Sequence, residues 1–166
     1  MTTLVYDAGK WGSGLLRYDG DELIEHIEPG EAREARVGAP QGTPPAAASK
    51  LAARLVAYLD GAIDDFLDVD CEGAIRWAGL TPFESEVVRQ LRLIPWGETV
   101  SYAELALLAG RPRAARAAGT ACGRGVLSLV VPYHRVIRSD GLIGEYGSLG
   151  HERKRALLEL EATRAR

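Results

Sequence analysis

Two capping boxes constrain this chain more than any other feature. Thr81-Pro82-Phe83-Glu84 and Ser101-Tyr102-Ala103-Glu104 each set a hydroxyl three residues before a glutamate. In that arrangement the hydroxyl accepts from the amide of the third helical residue and the glutamate reaches back, so helices are expected to open at both points. Pro82 suits the first helical position. Phe83, Val87, Leu91 and Ile94 then recur at helical spacing as a buried stripe, and Pro95-Trp96-Gly97 breaks it. The second helix is short, running through Leu108 until Gly110 ends it, and Pro112 starts a third that continues towards Cys122. Two short helices joined by a glycine-containing turn, the second small-faced and carrying arginine, read as a helix-turn-helix. Ala114, Ala115, Ala117, Ala118 and Gly119 would let that helix approach a groove closely. Packing against another helix explains the alanines equally well, but not Arg113 and Arg116.

The charge pattern agrees. Net charge is −3, but residues 1–80 hold 7 Lys/Arg against 14 Asp/Glu, and residues 81–166 hold 13 against 9. Between Glu104 and Asp140 stand six arginines, at 111, 113, 116, 124, 135 and 138, and no acid. Such a stretch suits a phosphate-facing surface, whereas a solvated helix face mixes both signs. No apolar run approaches the roughly 20 residues of a membrane span, and the N-terminus lacks the pattern of a signal peptide. Cys71 and Cys122 have no metal-type spacing and suggest neither a zinc site nor a disulfide framework, so a reducing, cytoplasmic setting is expected, with no metal or cofactor.

The first half reads as a small sheet with a helix. Leu4-Val5-Tyr6, Leu15-Leu16-Arg17-Tyr18 and Glu22 to Ile27 are strands, with a hairpin at Asp19-Gly20. Residues 29–48 are a loop, about 47–60 an amphipathic helix closed by Gly61, and Phe66 to Val69 one more strand. Nothing there clusters like catalytic equipment, and its acidity argues against a DNA-facing role; it reads as a scaffold, and His26 receives no function. The fold class is therefore α/β (α+β): a sheet-and-helix domain over 1–78, then a winged-helix-like helix-turn-helix domain over 79–166.

In the second half, the apolar run Val126 to Val131 ends at Pro132, which predicts a strand-to-loop transition displaying Tyr133 and His134. Arg135 is left for an ion pair or a phosphate. A buried His and Tyr at the end of a core strand is the plainer alternative. Gly141, Gly144 and Gly147 mark a loop around Tyr146, and His151 to about Arg164 is a helix with Leu157, Leu158 and Leu160 inward and Glu161 near its end.

Taken together, these stretches resemble the O6-alkylguanine-DNA alkyltransferases. The resemblance covers about 81–161 and rests on Thr81-Pro82-Phe83, on Ile94 to Tyr102, on Ala114 to Gly119, on Pro132 to Val136, on Gly141 to Tyr146, and on Lys154 with Leu157 to Glu161. It implies a protein that binds the minor groove of duplex DNA, flips an alkylated guanine out, and moves the alkyl group onto a cysteine within Pro-Cys-His-Arg-Val. By that analogy Arg116 fills the gap left by the base, Tyr102 helps rotate its phosphate, Tyr146 packs on the base, and Glu161 polarises His134. The implied DNA contacts are Tyr102, Arg113, Ala114, Ala115, Arg116, Gly119, Arg124 and Arg135. The implied lesion pocket is Tyr133, Val136, Tyr146, Gly147, Ser128 and Cys122.

Position 133, however, is tyrosine. The family chemistry needs a thiolate, which a neighbouring histidine favours by lowering a thiol pKa from about 8.5 to roughly 3.5–7.5. A phenol starts near 10, so about one part in a thousand is phenolate at neutral pH. The sequence is thus similar to the alkyltransferase-like relatives that lack the cysteine, bind alkylated DNA without repairing it, and pass the lesion to nucleotide-excision-repair proteins. No catalytic residue is expected; His134 and Glu161 are remnants of the relay, and the protein is expected to be a monomer. Gly125 stands where the family usually has an asparagine, and Ser128 and Gly147 are small at positions that resemble pocket walls. The alternatives are a suicide alkyltransferase with an altered acceptor or inactivated by Cys→Tyr, and a DNA-binding regulator indifferent to lesions.

Overall fold

Strands β1 (Thr2–Asp7), β2 (Ser13–Asp19) and β3 (Glu22–Ile27) form an antiparallel sheet in the order β1-β2-β3, in a computed structural model that describes residues 1–31 and 42–163. The β2–β3 turn lies at Asp19-Gly20, where Gly20 takes the positive φ of +58° that the tight turn needs. Helix α1 (Ala46–Leu59) follows, a residue earlier at each end than its spacing predicts. Gly61 closes it with φ +96° and an N–H to Tyr58 O at 2.8 Å. Leu51, Leu55 and Tyr58 are buried as expected and join Leu16, Tyr18 and Leu23 of the sheet in one core. Of the loop predicted over 29–48, residues 32–41 lie outside the described residues.

Phe66 to Val69 is not a strand. Phe66 sits at φ +51°, and the Arg92 guanidinium donates to the carbonyls of Phe66, Leu67 and Val69 at 2.9, 3.1 and 2.5 Å. One cation collecting three carbonyls within four residues holds a turn, not a ladder. The six-residue helix α2 (Glu72–Trp77) comes next, too short for its periodicity to show in sequence.

Helix α3 (Pro82–Leu91) opens on the capping box, with Glu84 N to Thr81 Oγ1 at 3.3 Å and Thr81 N to Glu84 Oε2 at 2.8 Å. Helix α4 (Tyr102–Leu108) opens on the second, with Ser101 N to Glu104 Oε2 at 2.7 Å and Glu104 N to Ser101 Oγ at 3.1 Å. Helix α5 (Ala115–Gly123) starts later than Pro112 suggests, because residues 111–114 form a turn closed by Ala114 N to Arg111 O at 3.0 Å. Strands β4 (Val100–Ser101) and β5 (Val136–Ile137) make a short parallel pair, which places the 132–135 segment beside α4.

The run Val126 to Val131 is also not a strand. Leu127 and Leu129 adopt left-handed φ values of +52° and +72°, and Val131 N bonds Leu127 O at 2.8 Å. All six residues are buried, so the apolar run reported depth and not extension. Tyr133–Arg135 then forms a single 3-10 turn. The last helix, α6 (Gly150–Ala162), turns Lys154, Leu157 and Glu161 inward, while Leu158 and Leu160 are only half-buried. Arg164, where it was expected to end, lies outside the described residues. Among those residues, no helix is long and apolar enough to cross a membrane.

Candidate nucleic-acid interface

The six arginines divide sharply. Arg111 lies over the Phe83 ring at 4.9 Å, Arg124 donates to Ala78 O at 2.6 Å, and Arg138 pairs with Asp140 at 2.7 Å. Arg135 is no phosphate contact: it is 2% exposed and clamped between Glu161 and the carbonyl of Ile94 at 2.6 Å. Arg113 and Arg116 are exposed, and among the described residues their guanidinium groups have no hydrogen bond, ion pair or ring contact; Arg116 accepts one bond, from Thr120 Oγ1, at its backbone carbonyl. Both flank the start of α5, where the N-cap is Ala114, which has no side chain to cap the first amides. Open amides, the positive end of a helix and two free guanidinium groups suit a phosphate backbone. The small residues serve packing as well: Ala118 and Ala121 are buried, and a Cβ on Gly119 would lie 3.7 Å from the Tyr102 ring. Ala114 and Ala115 are half-buried.

Beside α5 opens a cavity of about 510 Å³. It brings together Tyr133, Tyr146, Gly147, Ser128 and Cys122, with Tyr102, Gly119 and Arg124 along the α4–α5 side. Val136 is not in its wall, because β5 buries that side chain in the core beside Val100. Gly147 has φ +46° with open space where a side chain would stand. Gly125 has φ +59°, a value that asparagine also tolerates, and a Cβ there would meet Ser128 Oγ at an ordinary 3.7 Å.

The other wall comes from the half that sequence reasoning treated as scaffold. His26 of β3 and Glu28 just beyond it line the same cavity. His26 bonds Ser128 O through Nδ1 at 2.6 Å and the Tyr6 hydroxyl through Nε2 at 2.7 Å. Burial pushes its pKa down to about 4, against the hydrogen bond to Ser128, so it is neutral. Glu28 is 1% exposed, accepts the Tyr146 hydroxyl at 2.6 Å and meets Arg153 at 3.3 Å. Burial pushes its carboxyl up to about 7, more than Tyr146 and Arg153 pull it down. The one sequence signal for these two was a pair of ionisable residues at the end of β3, on either side of Ile27.

Behind Tyr133 lies a closed polar network. Glu161 Oε1 accepts from His134 Nε2 at 2.8 Å, Tyr58 OH at 2.6 Å and Arg135 Nη2 at 2.7 Å; Oε2 accepts from Arg135 Nε at 3.0 Å and Gly97 N at 3.1 Å. Burial works to raise the Glu161 pKa, but the bonds from His134 and Arg135 hold it below the usual carboxylate range. An ionised carboxylate only accepts, so the His134 proton is on Nε2. Burial lowers the His134 pKa, and its Nδ1 has no partner among the described residues. His134 and Glu161 thus meet as the resemblance implies, joined by Arg135 and by Tyr58, which sequence reasoning missed for want of any local signal.

Tyr133 is 4% exposed and donates its hydroxyl to Val126 O at 3.0 Å. Burial pushes the phenol well above its ordinary pKa, and pushes the Cys122 thiol up to about 12.

Residues 82–163 match the family model described as the 6-O-methylguanine DNA methyltransferase, DNA binding domain. The chain is 43% identical over 122 residues to a methylated-DNA–protein-cysteine methyltransferase of Mycobacterium tuberculosis, covering 73% of this chain and 69% of the relative. It is 40% identical over 116 residues to the protein of that name from Methanosarcina barkeri, covering 69% and 68%. A crystal structure of M. tuberculosis OGT in complex with DNA superposes with a TM-score of 0.75 at 34% identity, covering 98% of this chain and 94% of that one. With the capped helices, the open start of α5 and the cavity beside it, these likenesses establish that the chain belongs to the methylated-DNA–protein-cysteine methyltransferase family of DNA-binding repair proteins.

Proposed function

We propose that this chain binds duplex DNA containing O6-alkylguanine, turns the damaged base into the cavity beside α5, and holds it without taking the alkyl group, so that the lesion is marked for excision repair. Tyr133 carries the reading. Transfer requires a nucleophile at the cavity that attacks the alkyl carbon while the bond to guanine O6 breaks. The side chain at position 133 is a phenol engaged as a donor to Val126 O, with its pKa raised by burial. Its ionised fraction at neutral pH falls below the roughly one part in a thousand of a free phenol. Cys122, the cavity's thiol, is pushed up to about 12 and is a poor substitute. What remains is a shaped, aromatic-walled receptor. Residues 79–166 supply its DNA-facing part and residues 1–78 a wall and a buttress.

Intact mass after incubation with an O6-methylguanine duplex tests this reading directly. An unchanged mass together with selective binding of the lesion is expected. A gain of one methyl group, mapped to Tyr133 or Cys122, would establish an alkyltransferase instead. Equal affinity for damaged and undamaged duplex would leave a lesion-independent DNA binder.

Arg116→Ala should weaken lesion binding more than binding to undamaged duplex, because a side chain that fills the stack is used only when the base is out. A fluorescent base analogue beside the lesion reads that state. An identical loss on both DNAs would make Arg116 a simple phosphate contact, which lowers the salt dependence by about one counterion.

A further inference from the structure

One wall of the cavity belongs to the N-terminal sheet, and its chemistry is one-sided. Glu28 stands there almost fully buried, with Tyr146 OH donating to Oε2 and Arg153 reaching Oε1. Glu31 and Glu145 add two more carboxylates to the lining. Among the described residues Arg124 is the lining residue with a permanent positive charge, and it donates to the Ala78 carbonyl. Arg153 is divided between Glu28, the Trp11 carbonyl at 3.3 Å and the Trp11 ring at 4.9 Å. His26 has both ring nitrogens engaged and is neutral.

We propose that Glu28 sets which O6 adducts the pocket admits, accepting neutral and hydrogen-bond-donating adducts and turning anionic ones away. This rests on the lesion-binding reading above. A flipped guanine brings its O6 substituent out of water, where a second negative charge near Glu28 is poorly screened, and among the described residues the cation beside Glu28, Arg153, is already paired with it. An amide of the same shape offers an N–H to the acceptors of that wall. Because burial places the Glu28 carboxyl near neutrality, the contrast is best read at pH 8, where it is ionised. The N-terminal domain thereby becomes the part of the molecule that chooses the lesion, while α5 and its arginines hold the DNA.

The test uses an isosteric pair, O6-carbamoylmethylguanine and O6-carboxymethylguanine, in otherwise identical duplexes beside guanine and O6-methylguanine controls. Fluorescence anisotropy at pH 8 should show the carboxymethyl duplex bound at least tenfold more weakly than the carbamoylmethyl duplex by the wild type, equivalent to about 1.4 kcal/mol. In Glu28→Gln the ratio should shrink to below about threefold, whatever happens to overall affinity. The wild-type comparison needs no variant, and Glu28→Met supplies a second uncharged side chain if the glutamine variant fails to fold. Equal affinity of the wild type for the two adducts overturns the proposal. A tenfold ratio that survives in an uncharged variant removes Glu28 as its cause. Failure of the wild type to prefer O6-methylguanine over guanine is a different result, and it sinks the lesion-binding reading itself.

Discussion

Tyr133→Ala is expected to weaken binding to O6-alkylguanine DNA by about five- to 150-fold while leaving undamaged duplex nearly unaffected. The estimate follows from base–aromatic contacts worth on the order of 1–3 kcal/mol. The ring lines the cavity beside Tyr146 and Cys122, so its loss acts only when a base is there. Removing a buried ring also costs about 3–5 kcal/mol of stability, so affinity must be measured well below the melting temperature of the variant. Tyr133→Phe keeps the face and loses only the donor to Val126 O, and should retain most of the affinity. Tyr133→Cys is the sharper variant. His134 keeps an unpaired acceptor at Nδ1, and Glu161 still holds its other nitrogen. A thiolate there would attack the alkyl carbon, the bond to guanine O6 would break, and the base would leave as guanine after taking a proton. Measurable transfer is expected, reduced by the absence of an asparagine at Gly125. An alanine variant that binds the lesion as well as wild type, together with an inert cysteine variant, would show that the pocket does not form around this residue.

Glu161→Gln should destabilise the fold by about 3–5 kcal/mol, because it leaves the buried Arg135 guanidinium without its anion. For a chain of this length that corresponds to a fall in Tm of roughly 10 °C. The pH dependence identifies the cause. The folded-state pKa of Glu161 is depressed, so its contribution is fully present above the unfolded carboxylate value near 4.5 and is lost as pH falls through the folded value. The gap between wild type and variant should therefore be constant from pH 6 to 8 and narrow below pH 4.5. His134 and His26 add to acid sensitivity in the wild type, since both have lowered pKa values and the unfolded chain takes up protons below about 6.5 that the folded one refuses. Glu28 acts in the opposite sense: its raised pKa makes its burial progressively unfavourable as pH rises from about 4.5 through 7. A gap of the full size at pH 3 would show that Glu161 acts through packing and not through charge.

Local chemistry was readable wherever a few neighbouring residues decide the outcome. Both capping boxes, the Asp19-Gly20 hairpin, the Gly61 stop and the stripe Phe83, Val87, Leu91 depend on contacts within four residues, and each stands as its spacing predicts. The motifs that resemble the alkyltransferases also pointed to the right family, because they carry the spacing of a binding surface. Where the same residue types serve two ends, spacing misled. The apolar run 126–131 looked like a strand, yet it is a buried turn, since hydrophobicity records depth whatever the backbone does. Phe66 to Val69 failed as a strand because Arg92, more than twenty residues away, takes its carbonyls.

The site shows the same division. That position 133 is a tyrosine could be read directly, as could the meeting of His134 with Glu161 by resemblance. The fate of the arginines could not, because a charge count does not say which guanidinium finds an internal carboxylate: Arg135 is spent on Glu161, and Arg113 and Arg116 remain. Nor could the wall made by His26 and Glu28. Those residues reach the cavity through bonds to Ser128 and Tyr146, across 102 and 118 positions of chain. Only the packing of the sheet against the second half brings an acid from the first half to the cavity beside α5. The sequence alone determined the capped helices, the family and the tyrosine at position 133; the tertiary structure decided which charges stay free and what the cavity is made of, because both depend on partners that no local pattern records.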